Sequence, residues 1–255
     1  MTTEYTPEDI IRFLNNLRLP ALAARFNERY QKAIAEELGT LQFLGTFLDE
    51  ERLGRQQRRF ERLVKAANLD PADSIENYDF DLARSRGVDP AQVRDLTRGL
   101  YIGPTPRNLI LAGSVGTGKS KLARMLAFEA VRRDYHSSVE NTRDLVERLH
   151  RMRDSHRFPK LYRHFVHLDV LVLDDLAYMP FVPEQVEFLF RLVVDRTEKK
   201  TGPLIVTTNT DVQEWWQFFP SKAMGMAFSD RVLGGAIGVK FSGPSIRMNR
   251  SKDVK

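Results

Sequence analysis

Asn108-Leu109-Ile110-Leu111-Ala112-Gly113-Ser114-Val115-Gly116-Thr117-Gly118-Lys119-Ser120 is the stretch whose reading decides the fold. A short apolar run enters a loop of the form G-x-x-x-x-G-K-[ST], and an amphipathic segment, Leu122 to Ala130, leaves it. Glycines let such a loop curl until several N–H groups point inward at phosphate oxygens. The following helix adds the partial positive charge of its N-terminus. Gly113, Ser114, Val115, Gly116, Thr117, Gly118, Lys119 and Ser120 are therefore read as a nucleoside triphosphate site. Lys119 is expected on the β- and γ-phosphates and the Ser120 hydroxyl on Mg²⁺. Four fixed positions coincide by chance in roughly one chain in a hundred of this length. The strand before the loop and the helix after it make a chance match rarer still.

Two more apolar runs lie downstream, Val170-Leu171-Val172-Leu173 and Pro203-Leu204-Ile205-Val206-Thr207-Thr208. Helical segments are expected near 119–133, 142–166 and 183–200. Strands alternating with helices, each strand apolar throughout, argue a doubly wound α/β domain on a parallel sheet. The first run ends in Asp174-Asp175, at a strand tip that opens onto the ligand crevice of such a sheet. Asp174 suits the metal and Asp175 the polarisation of an attacking water; a solvated turn is the plain alternative. The second run ends at Asn209, placed to orient that water or touch the γ-phosphate, although Asn is also common at loop starts.

Residues 1–68 read as helical. Thr6-Pro7-Glu8-Asp9 is a helix start, and a second helix is expected from Ala21 to Leu38. Thr40 can cap a third, with Phe43, Leu44, Phe47, Leu48, Phe60, Leu63, Val64 and Ala67 as its apolar positions. Residues 69–107, punctuated by proline, read as a connector with a short helix from Pro90 to Gly99. Residues 108–255 form the α/β domain.

The chain of 255 residues has no cysteine, which excludes disulfides and thiolate chemistry. No apolar run reaches the 18–20 residues or so that span a membrane, and the polar start lacks a signal peptide's blocks. A cytoplasmic protein without membrane partners is expected. The net charge is +5 and unevenly placed. Residues 1–100 carry 15 Lys+Arg against 17 Asp+Glu, and the remainder 24 against 17.

Two basic stretches stand out. One holds Arg52, Arg55, Arg58, Arg59, Arg62 and Lys65. The other, between the first two apolar strands, holds Arg143, Arg148, Arg151, Arg153, Arg157, Lys160 and Arg163. Both suit phosphate contacts without base reading; solvated faces or intrahelical pairs are the alternative. His164 and His167 lack the carboxylates of a metal site. Trp215, Trp216, Phe218 and Phe219 read as core or as a subunit interface.

The ordered set of motifs resembles the AAA+ superfamily. More narrowly it resembles the IstB-like ATPases, transposition helper proteins related to the DnaC-type helicase loaders. Leu17-Arg18-Leu19-Pro20, Ile75-Glu76-Asn77-Tyr78-Asp79-Phe80, Ala177-Tyr178-Met179-Pro180, Glu214-Trp215 and Asp230-Arg231-Val232-Leu233 complete the likeness. The resemblance implies an AAA+ P-loop NTPase domain, its parallel sheet flanked by helices, behind a small all-helical N-terminal domain. It makes Gly113–Ser120 the Walker A loop, Asp174-Asp175 the Walker B pair and Asn209 sensor 1. Arg231 becomes an arginine finger for a neighbouring subunit; from sequence alone, a local pair with Asp230 is the simpler reading.

The chain departs from the family in two ways. Ser114-Val115 stand where proline is more frequent. The chain also ends soon after Arg247, leaving no room for a full helical lid; Arg247 is a candidate to replace the lid arginine.

The implied function is an ATPase that oligomerises on double-stranded DNA, without sequence preference, and assists a transposase in target selection. DNA contacts are expected at Arg55, Arg58, Arg59, Arg62, Arg151, Arg153, Lys160 and Arg163. A replicative helicase loader binding single-stranded DNA, a metabolic P-loop kinase and a non-hydrolysing DNA scaffold are the other readings.

Overall fold

The computed structural model describes residues 4–176 and 183–245. Met1–Arg62 and Leu63–Lys255 form two compact units.

In the first unit, α1 spans Pro7–Asn16 and α2 Pro20–Ala35; α3, Thr40–Ala66, begins here. Thr6 and Asp9 close a reciprocal capping box at the start of α1. Leu14, Leu22, Ala23, Phe26 and Phe47 bury one another, with Ile10, Ile11, Leu19 and Phe43 packed against them. Leu44 and Leu48, expected inside, are 47% and 52% exposed. Of the four expected positions the core takes only Phe43 and Phe47, so the apolar face is narrower than the spacing implied. Glu51 is buried, and its Oε2 accepts from the N–H groups of Ala21 and Leu22 at the start of α2. Arg55 and Arg58 both donate to Glu51 Oε1, at 3.0 Å each. A carboxylate at a helix N-terminus is favourable, and the two arginines balance its burial.

The second unit is built on five strands: β1 (Leu109–Gly113), β2 (Ser137–Asn141), β3 (Val170–Asp174), β4 (Leu204–Thr208) and β5 (Ile237–Phe241). All pair in parallel, in the order β2-β3-β4-β1-β5. The other elements are α4 (Phe80–Ser85), α5 (Pro90–Thr97), α6 (Lys119–Arg132), α7 (Thr142–Met152), α8 (Phe158–Val166), α9 (Pro183–Lys199) and α10 (Lys222–Leu233). A core of Ile110, Leu171, Leu173, Leu204 and Val206 with residues of α7–α10 and Trp215 fills one face. Alternation sends Leu109, Leu111, Val170, Val172 and Ile205 to the other face, where α6 packs on β1, β3 and β4. Cover on both faces is why these strands are apolar throughout.

The sequence reading missed β2 and β5, the outer strands. Ser137-Ser138-Val139-Glu140-Asn141 has a single apolar residue, and Ile237, Val239 and Phe241 alternate with Gly238 and Lys240. Because β2 exists, the second basic stretch lies between the second and third strands. The single helix expected over 142–166 is two, α7 and α8, parted by a turn at Arg153–Arg157.

One backbone bond meets each outer side of the sheet: Val139 N–H of β2 donates to the Ala67 carbonyl, and Ser242 N–H, just past β5, to the Arg86 carbonyl. Asp73, buried, accepts from Arg124 Nε (3.0 Å) and Nη2 (2.7 Å), and Glu76 takes both arms of Arg132. Glu129 Oε1 accepts the Ile75 N–H. Residues 70–79 are thus clamped onto α6. Burial raises the Asp73 carboxyl, but the Arg124 hydrogen bonds and neighbouring cations outweigh it and hold it below its ordinary value. Among the described residues no helix is long and apolar enough to cross a membrane.

Arg196, 1% exposed, ties α9 to two other elements. It donates to the carbonyls of Phe165, Val166, Gly202 and Pro203. Burial pushes its guanidinium down to about 10. Arg196→Ala leaves three buried carbonyls and one part-buried one short of a donor and should cost on the order of 3 kcal/mol. Urea midpoints of the two proteins measure this, and an unchanged midpoint contradicts the brace. The Glu76 carboxyl is held at about 2 against an ordinary 4.5, chiefly by its hydrogen bond from Arg132. A carboxyl lowered by folding contributes fully above its unfolded value and loses that contribution as pH falls through its folded one. Between 4.5 and about 2 the wild type should therefore lose melting temperature more steeply than Glu76→Gln. Parallel pH profiles would refute this.

Candidate nucleotide site

The parallel register sets the site. Ala112 of β1 lies beside Thr208 of β4, and Leu173 of β3 beside Val206. Gly113, Asp174, Asp175, Thr208 and Asn209 therefore share one end of the sheet, the carboxyl end.

The loop after β1 is held from both sides. A Cβ on Gly113 would collide with the Phe241 carbonyl oxygen of β5, and one on Gly116 (φ +75°) with the Ser245 side chain. Only glycine fits either place. Gly118 is the N-cap of α6, whose first residues are Lys119 and Ser120. Thr117 Oγ1 donates to the Ser114 carbonyl at 2.8 Å. Lys119 Nζ donates to the carbonyls of Gly113 and Ser114, at 2.7 Å each. The ammonium thus lies over the hollow of the loop, and Val115 stands out from it, 57% exposed.

Asp174 ends β3, half-buried. Its Oδ1 accepts from Thr207 Oγ1 at 2.6 Å, and Arg124 of α6 interacts with it electrostatically. That interaction puts the first turns of α6 near the β3 tip. Asp175 leaves the strand at φ +59°; its side chain is exposed and takes no hydrogen bond among the described residues. Asn209 is exposed just past β4, its Oδ1 accepting from Thr210 Oγ1.

Arg231 lies elsewhere. Asn108 binds the start of β4 through its Oδ1 and the start of β5 through its carbonyl; its Nδ2 donates to the carbonyls of Val232 and Arg231. The backbone of Arg231 is therefore fixed at the amino end of β1, opposite the site. Five strand residues separate the two ends, about 16 Å at ~3.3 Å each. The Arg231 side chain donates to the Ala227 carbonyl and lies over the Phe190 ring at 5.7 Å. It makes no hydrogen bond or ion pair with Asp230, the simpler sequence reading, or with the loop.

The basic residues divide. Arg55 and Arg58 hold Glu51. Arg153 meets Asp154 and His150, and Arg163 Nε donates to the Pro159 carbonyl. Arg151, Arg153, Lys160 and Arg163 are exposed on or next to α7 and α8; Arg59 and Arg62 are exposed on α3. Arg143 and Arg148 pair with Glu147 and Glu140. Trp215 and Phe218 are core residues. Ala177-Tyr178-Met179-Pro180 and Arg247 lie outside the described residues.

The sequence reading missed a cavity of about 360 Å³ beside the loop, lined by Asn77, Tyr78, Asp79, Leu82, Ala83, Thr117, Gly118, Lys121 and Phe241. It exists because the clamp on α6 brings residues 77–83 next to Thr117 and Gly118. Nothing in the spacing of Asn77-Tyr78-Asp79 announces it.

Residues 13–254 match the profile of the IstB-like ATP binding protein family. An insertion-sequence ATP-binding protein of Geobacillus stearothermophilus is 28% identical over 96% of both chains. Among solved structures, DnaI aligns with a TM-score of 0.56 at 18% identity, over 71% of this chain and 94% of its own. The DnaC helicase loader aligns with 0.52 at 19%, over 60% and 87%. At such identities these two likenesses concern the fold, a parallel sheet flanked by helices. The glycine loop, the carboxylates at the β3 tip and the match over nearly the whole chain agree: the protein belongs to the IstB-like ATP-binding family and carries an AAA+ P-loop domain.

Proposed function

We propose that this protein hydrolyses ATP, assembles with copies of itself on duplex DNA, and helps a transposase select its target. The observation that carries the reading is the division of the site. The loop, Asp174, Asp175 and Asn209 lie at one end of the sheet, while Asn108 fixes the backbone of Arg231 at the other. That separation supports Arg231 as completing the nucleotide site of another copy. The insertion-sequence relatives support the transposase as partner.

Within one copy, the loop amides and the α6 N-terminus would take the phosphates, with Lys119 exchanging its two carbonyls for phosphate oxygens. The cavity beside Tyr78 would take the base. No group of three or more His, Cys, Asp or Glu able to hold a metal occurs among the described residues. The remaining donors, the Ser120 hydroxyl and the Asp174 carboxylate, are hard oxygens, and they fit an Mg²⁺ ion that draws its other ligands from phosphate and water. Such an ion supplies charge neutralisation on the phosphates. Asp175, exposed and without a hydrogen bond to its side chain among the described residues, would accept a proton from the attacking water, and Asn209 would orient it. Arg231 of a second copy would stabilise charge on the phosphoryl group.

Lys119→Ala should abolish nucleotide binding, measured with a fluorescent ATP analogue. Asp175→Asn should keep binding and lose at least about a hundredfold in turnover. Arg231→Ala should spare binding by the monomer and lose turnover in the assembly. Doping Arg231→Ala into Asp175→Asn protein should restore some activity, since each copy supplies what the other lacks. No restoration at any ratio would sink action between subunits. ATP-dependent growth in mass on duplex DNA supports the assembly; a monomer indifferent to DNA, or a preference for single strands with capture of a helicase, overturns it. A small-molecule phosphate acceptor would instead mark a kinase.

For DNA contacts the exposed Arg151, Arg153, Lys160 and Arg163 are the strongest group, with Arg59 and Arg62 on α3. Arg55 and Arg58 already hold Glu51. Replacing the four with Ala should weaken binding to all sequences alike. It should also lower the slope of log K against log salt by about one per lost phosphate contact. An unaltered slope removes this face from the DNA path.

A further inference from the structure

The hydrogen-bonded ladder between β3 and β4 ends at Leu173 and Val206. Beyond it, Thr207 takes over with its side chain. Its hydroxyl, on a residue 1% exposed, has one proton and donates it to Asp174 Oδ1 at 2.6 Å. Thr207 Oγ1 in turn accepts the Asp175 N–H at 2.8 Å. The Thr207 carbonyl accepts the Leu176 N–H, also at 2.8 Å. One residue thus sets the rotamer of one carboxylate and the backbone of the next. That hold fixes Asp175 at φ +59°, a left-handed conformation that Asp adopts more readily than most non-glycine residues. From the far side the buried Thr142, first residue of α7, donates its hydroxyl to the Asp174 carbonyl at 2.9 Å.

We propose that Thr207 is the positioning residue of this pair. By holding Oδ1 it leaves Asp174 Oδ2, which has no hydrogen bond among the described residues, as the oxygen to serve the cation. By holding the Asp175 amide it fixes where the second carboxylate starts. The proposal rests on the reading of Asp174 as a metal ligand and Asp175 as the base.

Thr207→Val keeps the branched shape and removes the hydroxyl; Thr207→Ser keeps the hydroxyl. With a non-hydrolysable ATP analogue bound, the Mn²⁺ concentration at half-saturation, read by electron paramagnetic resonance, should rise about tenfold in Thr207→Val. Turnover should fall by at least as much while KM for ATP stays within about twofold. Thr207→Ser should match the wild type within about twofold in all three. Wild-type Mn²⁺ binding in Thr207→Val, or equal damage in both variants, overturns the proposal. Should Thr207→Val not fold, hydrogen exchange of the wild-type Asp175 amide decides: protection supports the bond, and exchange at the rate of an open loop refutes it. If the wild type hydrolyses no ATP, the parent reading fails, and the Mn²⁺ titration still judges Thr207.

Discussion

Parallel pairing of β3, β4 and β1 is the constraint on which the site depends. It brings the carboxyl ends of three strands, distant in sequence, to one line. A shift of one residue between β3 and β4 would carry Asp174 away from Thr207 and reverse the faces of Leu171 and Leu173. That error is opposed by apolar cover on both sides of the sheet. The core cluster and α6 therefore act as a gauge: they hold the register, and the register holds the carboxylates.

A second dependence runs through the connector. Asp73, Glu76 and Glu129 join residues 70–79 to α6, the helix that starts at Lys119. The loop and the cavity beside Tyr78 therefore sit on one rigid body. The connector reads as a linker by its prolines, yet it makes one wall of the candidate base site.

Legibility in the sequence followed burial. The loop, β1, β3 and β4 were plain because strands covered on both faces are apolar at every residue. β2 and β5 escaped because an outer strand needs little apolar character, and Ser137-Ser138-Val139-Glu140-Asn141 has almost none. The carboxylates and Asn209 could be placed by their position after apolar runs. Thr207, Asn108 and Arg124 could not, because their roles depend on partners 33, 96 and 51 residues away. The assignment of Arg231 came from resemblance; the structure adds that its backbone belongs to the other end of the sheet.

The bonds at the outer sides of the sheet carry a consequence for how copies can meet. Val139 of β2 and Ser242, the residue after β5, give their amides to carbonyls of the same chain, so each outer side has one donor fewer for an added strand. An assembly of the kind proposed would then draw more on side chains and helix surfaces than on strand pairing. A continuous ladder would lock, whereas a seam of side chains around a nucleotide, as proposed, would open when that nucleotide changes its charge.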